Sequence, residues 1–321
     1  MQQIKRENIT FTEQANIILE LKKHMVRQNT YKLHWENIVN KHLIPYFGES
    51  LISDIRKNDI EYYFISKKDY TKETLKSHLA VINEIFTNAY DNYYIERNPC
   101  EHFKLRVGTE SIKKDVYTPE QAEMILQYCN LHRFGLAVDL MLRYGLSRSE
   151  LLGIKWEDID TKSKSIHIRR GVTVPQKKNS GTRIVVSEPK NRFRRRTVAI
   201  GDETVKLIKK RPRSITVSGD KIITEFLIYN KFGKPCRPDT WYRTHYKTFM
   251  TDMHEYYMLT QKIDIPILTP HELRHSIASK WLNEGKNCAA IAAELGWSDF
   301  SMLSRVYGHR DIDKLRVQLD L

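Results

Sequence analysis

Toward the carboxyl end of the chain stand a histidine and an arginine three residues apart, His271 and Arg274, then a Leu295-Gly296-Trp297 step, then Tyr307 ten residues beyond the tryptophan. Positions i and i+3 share a helix face, so an imidazole and a guanidinium spaced this way can address one anion. A guanidinium stays protonated and presents forked donors that match a phosphate. An indole offers one N–H donor, and a phenol is a latent nucleophile. Upstream, the segment EPKNRFRRR (188–196) crowds Lys190, Arg192, Arg194, Arg195 and Arg196 into nine residues and reads as a solvated or phosphate-facing hairpin. Taken singly these features are weak. A lone tyrosine is most often a packing residue, and a His-x-x-Arg arises by chance in many chains.

Composition narrows the partner. Over 321 residues the formal net charge is +14, an excess that favours a polyanion, of which nucleic acid is the commonest. Cys100, Cys129, Cys236 and Cys288 lie far apart with no CxxC pair, which suggests neither a zinc site nor a disulfide framework but reduced thiols. Carboxylates do not cluster, which disfavours a metal-dependent nuclease; no metal and no cofactor are expected. No stretch approaches the roughly 18 apolar residues of a membrane span. The opening MQQIKRENITFTEQ lacks the apolar core of an export signal. The expected location is the cytoplasm, in association with the nucleoid, with no membrane partner.

The elements that must position these residues fall into two groups. Apolar residues recur at helical spacing through Phe11, Ala15, Ile18 and Leu19, and again over 30–43 before Pro45 and Gly48; shorter helices fit 57–66 and 72–92. Residues 104–117 are polar and weakly periodic, a linker. Thr118-Pro119 then opens a helix as N-cap and first helical residue. Helices fit 119–130, 134–144 and 148–153; β-rich runs follow at Ser165–Ile168, Thr182–Val186 and Thr197–Ile200; helices return at 202–210, 239–253, 271–283 and 287–295. Helices, a small sheet, then helices again is an α+β order, mainly α with an antiparallel insert, and not an alternating βαβ fold.

Three stretches together resemble the tyrosine recombinase, or phage integrase, family: YGLSRSELLGIKWEDID (144–160), EPKNRFRRRTVAI (188–200), and LTPHELRHSIASKWLNEGKNCAAIAAELGWSDFSMLSRVYGH (268–309). The HLIPYFG segment and the late Asn98-Pro99 of the first hundred residues are similar to the family's core-binding region. The resemblance implies a two-domain DNA clamp: a helical core-binding domain over 1–103, a linker over 104–117, and an integrase-type catalytic domain over 118–321. It implies site-specific recombination of a mobile element through a 3′-phosphotyrosyl intermediate. In that reaction Tyr307 is the nucleophile, and His271, Arg274 and Trp297 contact the phosphate. Lys190 protonates the departing 5′-oxygen, and Glu150 supports the site from behind. Arg192, Arg194 and Arg195 become DNA-contacting candidates. Double-stranded DNA is the implied partner, with a homotetramer on two sites and accessory DNA-bending proteins as further partners.

One position departs from the family pattern. Where relatives carry their first phosphate-binding arginine, three residues before the glutamate, this chain has Ser147, and Arg148 stands one residue late. A one-residue step turns a side chain by about 100° around a helix. Two readings stay open here: Arg148 reaches the phosphate by a local change of register, or the position is a true loss. Loss of a preorganised cation costs on the order of 3–4 kcal/mol of transition-state stabilisation and leaves an integrase-like DNA-binding protein impaired or inactive in cleavage. A monomeric type IB topoisomerase is a third possibility, disfavoured by the amino-terminal region.

Overall fold

A computed structural model describes residues 8–110, 115–174, 184–188 and 192–298. These form two compact units, one of residues 8–110 and one of the remainder, each with its own core.

The first unit is helical. Helix α1 (Phe11–Met25) is opened by a reciprocal cap in which the Glu13 N–H donates to the Thr10 hydroxyl at 3.2 Å and the Thr10 N–H donates to the Glu13 carboxylate at 2.8 Å. Its Phe11, Ala15, Ile18 and Leu19, spaced for one helix face, are all buried. Helices α2 (Lys57–Ser66) and α3 (Lys72–Asp91) complete the unit, and α3 buries Leu75, Val81, Ile82, Ile85 and Phe86. The run expected as one helix over 30–43 is helical but contains two π turns, Tyr31–Glu36 and Val39–Leu43. Apolar periodicity alone does not separate an i→i+5 bond from an i→i+4 bond.

The segment expected as a linker is tied in at both described ends. Leu105 and Val107 pack on the first core, and the Thr109 N–H donates to Tyr70 O at 2.9 Å. Tyr117 belongs to the second core, where its N–H donates to Ser276 Oγ at 3.0 Å.

The second unit is built around α5 (Gly135–Tyr144), which packs on α4 (Pro119–Cys129). Thr118 caps α4 as its sequence context predicts, with Pro119 at the first position. Buried Asp139 on α5 accepts from Arg143 Nε at 2.7 Å and from Thr204 Oγ1 at 2.6 Å, which ties α5 to the helix Asp202–Lys210. Helix α6 (Arg148–Gly153) follows a left-handed Gly145.

A three-stranded antiparallel sheet joins β1 (Ile159–Asp160), β2 (Ser165–Ile168) and β5 (Arg196–Ala199), with Ile166 opposite Val198 and Ile168 opposite Arg196. Two hairpins complete the β structure. One joins β3 (Gly171–Thr173) to β4 (Val185–Ser187), the other β6 (Ser214–Val217) to β7 (Asp220–Ile223). Of the strand expected over 182–186, residues 182 and 183 lie outside the described residues. The β6–β7 hairpin was not expected; it turns on Ser218 and Gly219, both at positive φ. The helical run expected over 239–253 extends from Pro238 to Gln261 through a π turn at Tyr242–Tyr246. The last described helices are Pro270–Asn283 and Cys288–Leu295.

Gly145 carries two requirements at once. Its φ is +62°, and a β-carbon there would run into the side chain of Leu295. Gly145→Ala is therefore expected to lower stability by about 1–3 kcal/mol, read as a reduced urea midpoint; an unchanged midpoint would show that neither the turn nor the contact matters.

Candidate active site

Arg274 lies on the first turns of Pro270–Asn283, a helix begun by Thr269 as cap and Glu272 as its reciprocal partner. Its side chain is only 3% exposed. A buried guanidinium needs acceptors, and the surrounding helix ends supply them. Nη1 donates to Gly145 O at 2.8 Å, where α5 stops, and to Glu150 Oε2 at 3.3 Å. Nη2 donates to Leu295 O, where Cys288–Leu295 stops. Terminal helix carbonyls lack intrahelical partners and carry partial negative charge, so a cation suits them. Burial pulls the Arg274 guanidinium down to about 10 while Glu150 raises it, which leaves it charged at neutral pH.

Glu150 is the pivot. The carboxylate is 2% exposed, and three arginines from three elements converge on it. Arg274 Nη1 stands 3.3 Å from Oε2. Arg196 Nη1 and Nη2 fork over both oxygens at 3.3 and 3.4 Å, and Arg194 Nη1 lies 3.9 Å from Oε1. The Ser147 N–H adds a donor at 2.9 Å. Burial alone would raise the carboxyl, but Arg196, Arg274 and the Ser147 amide outweigh it and hold the group below its ordinary value. Three guanidinium charges against one carboxylate leave a net positive site.

The Leu295-Gly296-Trp297 step closes the cluster. Gly296 caps Cys288–Leu295 at φ +62°. A β-carbon there would lie 3.0 Å from Arg194 Cα and 3.1 Å from Phe193 O, so the basic segment presses directly on this turn. Half-buried Trp297 presents its ring 5.5 Å from the Arg274 guanidinium, a cation–π distance.

The sequence candidates therefore separate. Arg274, Glu150, Trp297 and Arg194 are brought together. His271 is exposed one turn before Arg274, its ring 4.4 Å from that of buried His275 and edge-on to it. Ser147 caps α6, its hydroxyl accepting from the Glu150 N–H at 3.4 Å. Arg148 is exposed and makes no ion pair among the described residues. Arg195 points outward, with its side chain 65% exposed. Lys190, Tyr307 and the Arg192 side chain lie outside the described residues.

Arg196 was not singled out by sequence, although a signal existed. Strand residues two apart share a face, and Val198, two beyond Arg196 on β5, is a buried apolar residue. Parity thus turned Arg196 inward and Arg195 outward within one basic run.

Because the Glu150 carboxyl is held below its ordinary value, its contribution to stability is fully present above that value and is lost as pH falls through the folded one. Glu150→Gln strands buried guanidinium charge and is expected to cost roughly 3–5 kcal/mol at neutral pH. The gap from wild type should narrow on acidification. Urea unfolding at stepwise lower pH reads this directly, and parallel curves for the two proteins would reject Glu150 as the titrating group.

Comparison with known proteins follows the same lines. The family model described as "Phage integrase family" matches residues 115–313, and that of the "Phage integrase, N-terminal SAM-like domain" matches residues 10–68. A XerC-like tyrosine recombinase of Caldanaerobacter subterraneus is 22% identical, covering 87% of this chain and 73% of its own. Among solved structures, the Tn1549 transposon integrase in complex with a circular intermediate DNA superimposes with a TM-score of 0.78 at 21% identity, over 97% of this chain and 99% of that one. A lambda integrase tetramer bound to a Holliday junction gives 0.62 at 16% identity, over 94% and 78%. At such identities the superpositions establish a common fold. The family match spans more than half of the sequence, and the chain belongs to the phage integrase family.

Proposed function

We propose that this chain is a site-specific DNA recombinase of a mobile element, breaking and rejoining strands through a 3′-phosphotyrosyl intermediate on Tyr307. The observation that carries the reading is the over-charged arginine cluster on buried Glu150, with Trp297 beside it, in a member of the phage integrase family. Strand transfer adds negative charge to the non-bridging oxygens of one phosphate. Fixed guanidinium donors in an enclosed site stabilise that charge without reorganising. Arg274 fills this role, with His271 and the Trp297 indole N–H as further donors.

The phenolate of Tyr307 attacks phosphorus and the 5′-oxygen leaves, protonated by Lys190. A second 5′-hydroxyl reverses the step on another strand, so the bond energy is retained. A lysine acts as an acid near neutral pH only if neighbouring cations lower its pKa, and the arginine run 192–196 that leads into β5 is their source. Residues 8–110 serve as the core-binding DNA contact, with Arg192, Arg194 and Arg195 adding backbone contacts. The protein works in the cytoplasm on nucleoid DNA. The lambda integrase tetramer supports a tetramer on paired sites.

One observation favours a second reading: Ser147, at the family's first arginine position, is used as a helix cap and brings no charge. On that reading the protein occupies recombination sites without cutting them.

Binding sites selected from a randomised duplex pool, rebuilt as nicked suicide duplexes, separate the two. The first reading expects a covalent protein–DNA adduct that Tyr307→Phe abolishes while affinity changes less than about threefold, with affinity falling steeply as salt rises. Tight, salt-sensitive binding with no adduct would select the second. No binding to any duplex would reject both.

A further inference from the structure

Ser147 leaves the family's first arginine position without charge, and its two polar groups are already committed, the N–H to Glu150 Oε2 at 2.9 Å and the hydroxyl to the Glu150 N–H at 3.4 Å. Arg148 is exposed and makes no ion pair with Glu150 among the described residues. Yet the carboxylate is not short of cations. Arg196 forks across both of its oxygens, and on Oε2 its Nη2 at 3.4 Å stands beside Arg274 Nη1 at 3.3 Å. Two guanidinium groups within hydrogen-bonding distance of one carboxylate oxygen are also within the span of one phosphate. Resting on the strand-transfer reading above, we propose that Arg196 supplies the second guanidinium of the phosphate site. In this chain that charge is delivered from β5 instead of from the start of the helix that carries Glu150.

Three features support the assignment. The group is preorganised: Nε donates to Glu294 O at 2.6 Å and Nη1 to Arg194 O at 3.2 Å. The turn at Gly296 presses on it as well, since a β-carbon there would lie 3.0 Å from Nη1. Enclosure is no obstacle. The Arg196 side chain is 8% exposed, more open than Arg274 at 3%, and a guanidinium has five N–H donors, so one on Nη2 has no acceptor among the described residues. Finally, neutralising one carboxylate takes one cation. Arg274 already stands against Glu150, and a second forked guanidinium leaves charge available for an anion.

The test uses the full chain and a suicide duplex selected by binding, made with either an ordinary or a methylphosphonate group at the scissile position. A neutral methylphosphonate has less need of a second cation. Arg196→Gln is expected to slow adduct formation on the phosphate duplex by about 100-fold or more with duplex affinity within about threefold. On the methylphosphonate duplex the variant and wild type should differ by less than about fivefold. Arg196→Lys keeps the charge beside Glu150, guards against misfolding, and should retain intermediate activity. Adding Ser147→Arg to Arg196→Gln should recover at least about tenfold on the phosphate duplex.

Equal losses on both duplexes would reduce Arg196 to a structural clamp and overturn the proposal. So would full activity of Arg196→Gln, or a loss confined to Arg194→Gln. Bound wild-type protein that yields no adduct would instead overturn the strand-transfer reading itself, and this assignment with it.

Discussion

A single buried carboxylate organises the second unit. Glu150 stands where the start of α6, the inward face of β5 and the helix Pro270–Asn283 meet, and each of the last two delivers an arginine to it. A lone charge in that position would be costly. With Arg196 and Arg274 in place it holds three elements in register, and both guanidinium groups reach past it to the last carbonyls of Cys288–Leu295. Charge, helix ends and chain topology are satisfied by the same contacts.

The glycines at the edges of this assembly follow from it. Gly145 must turn left-handed so that its carbonyl reaches Arg274, and it must lack a side chain so that Leu295 can seat against it. Gly296 does the same on the other side, against the backbone of Phe193 and Arg194. Leu295-Gly296-Trp297 therefore works as a joint. The leucine packs in a small core with Ile277, Ala278 and Ile291, the glycine admits the basic segment, and the tryptophan lies on the guanidinium.

Much of this was legible in sequence. The spacing of His271 and Arg274, the Trp297 step and the capping signal at Thr118 all lie on the elements the pattern required, and the strand Ser165–Ile168 has the expected bounds. The rest escaped for local reasons. Apolar periodicity did not reveal the π turns in the first unit. The β6–β7 hairpin is short and largely solvent-facing, so it lacks the strong alternation of a strand with one buried face. Arg196 was hidden in a run of identical charges, where only strand parity marks which members turn inward. Ser147 was legible as a departure in charge, but its use as a cap became clear only with the start of α6 and Glu150 in view.

The way Arg274 is held has a further consequence. Its acceptors are the closing carbonyls of two separate helices and a carboxylate from a third, drawn from residues 145 to 295. None of these is assembled until the whole unit has packed. A nascent or partly unfolded chain carries the same basic residues but lacks the formed cation pocket. Formation of the cation pocket is thereby tied to completion of folding.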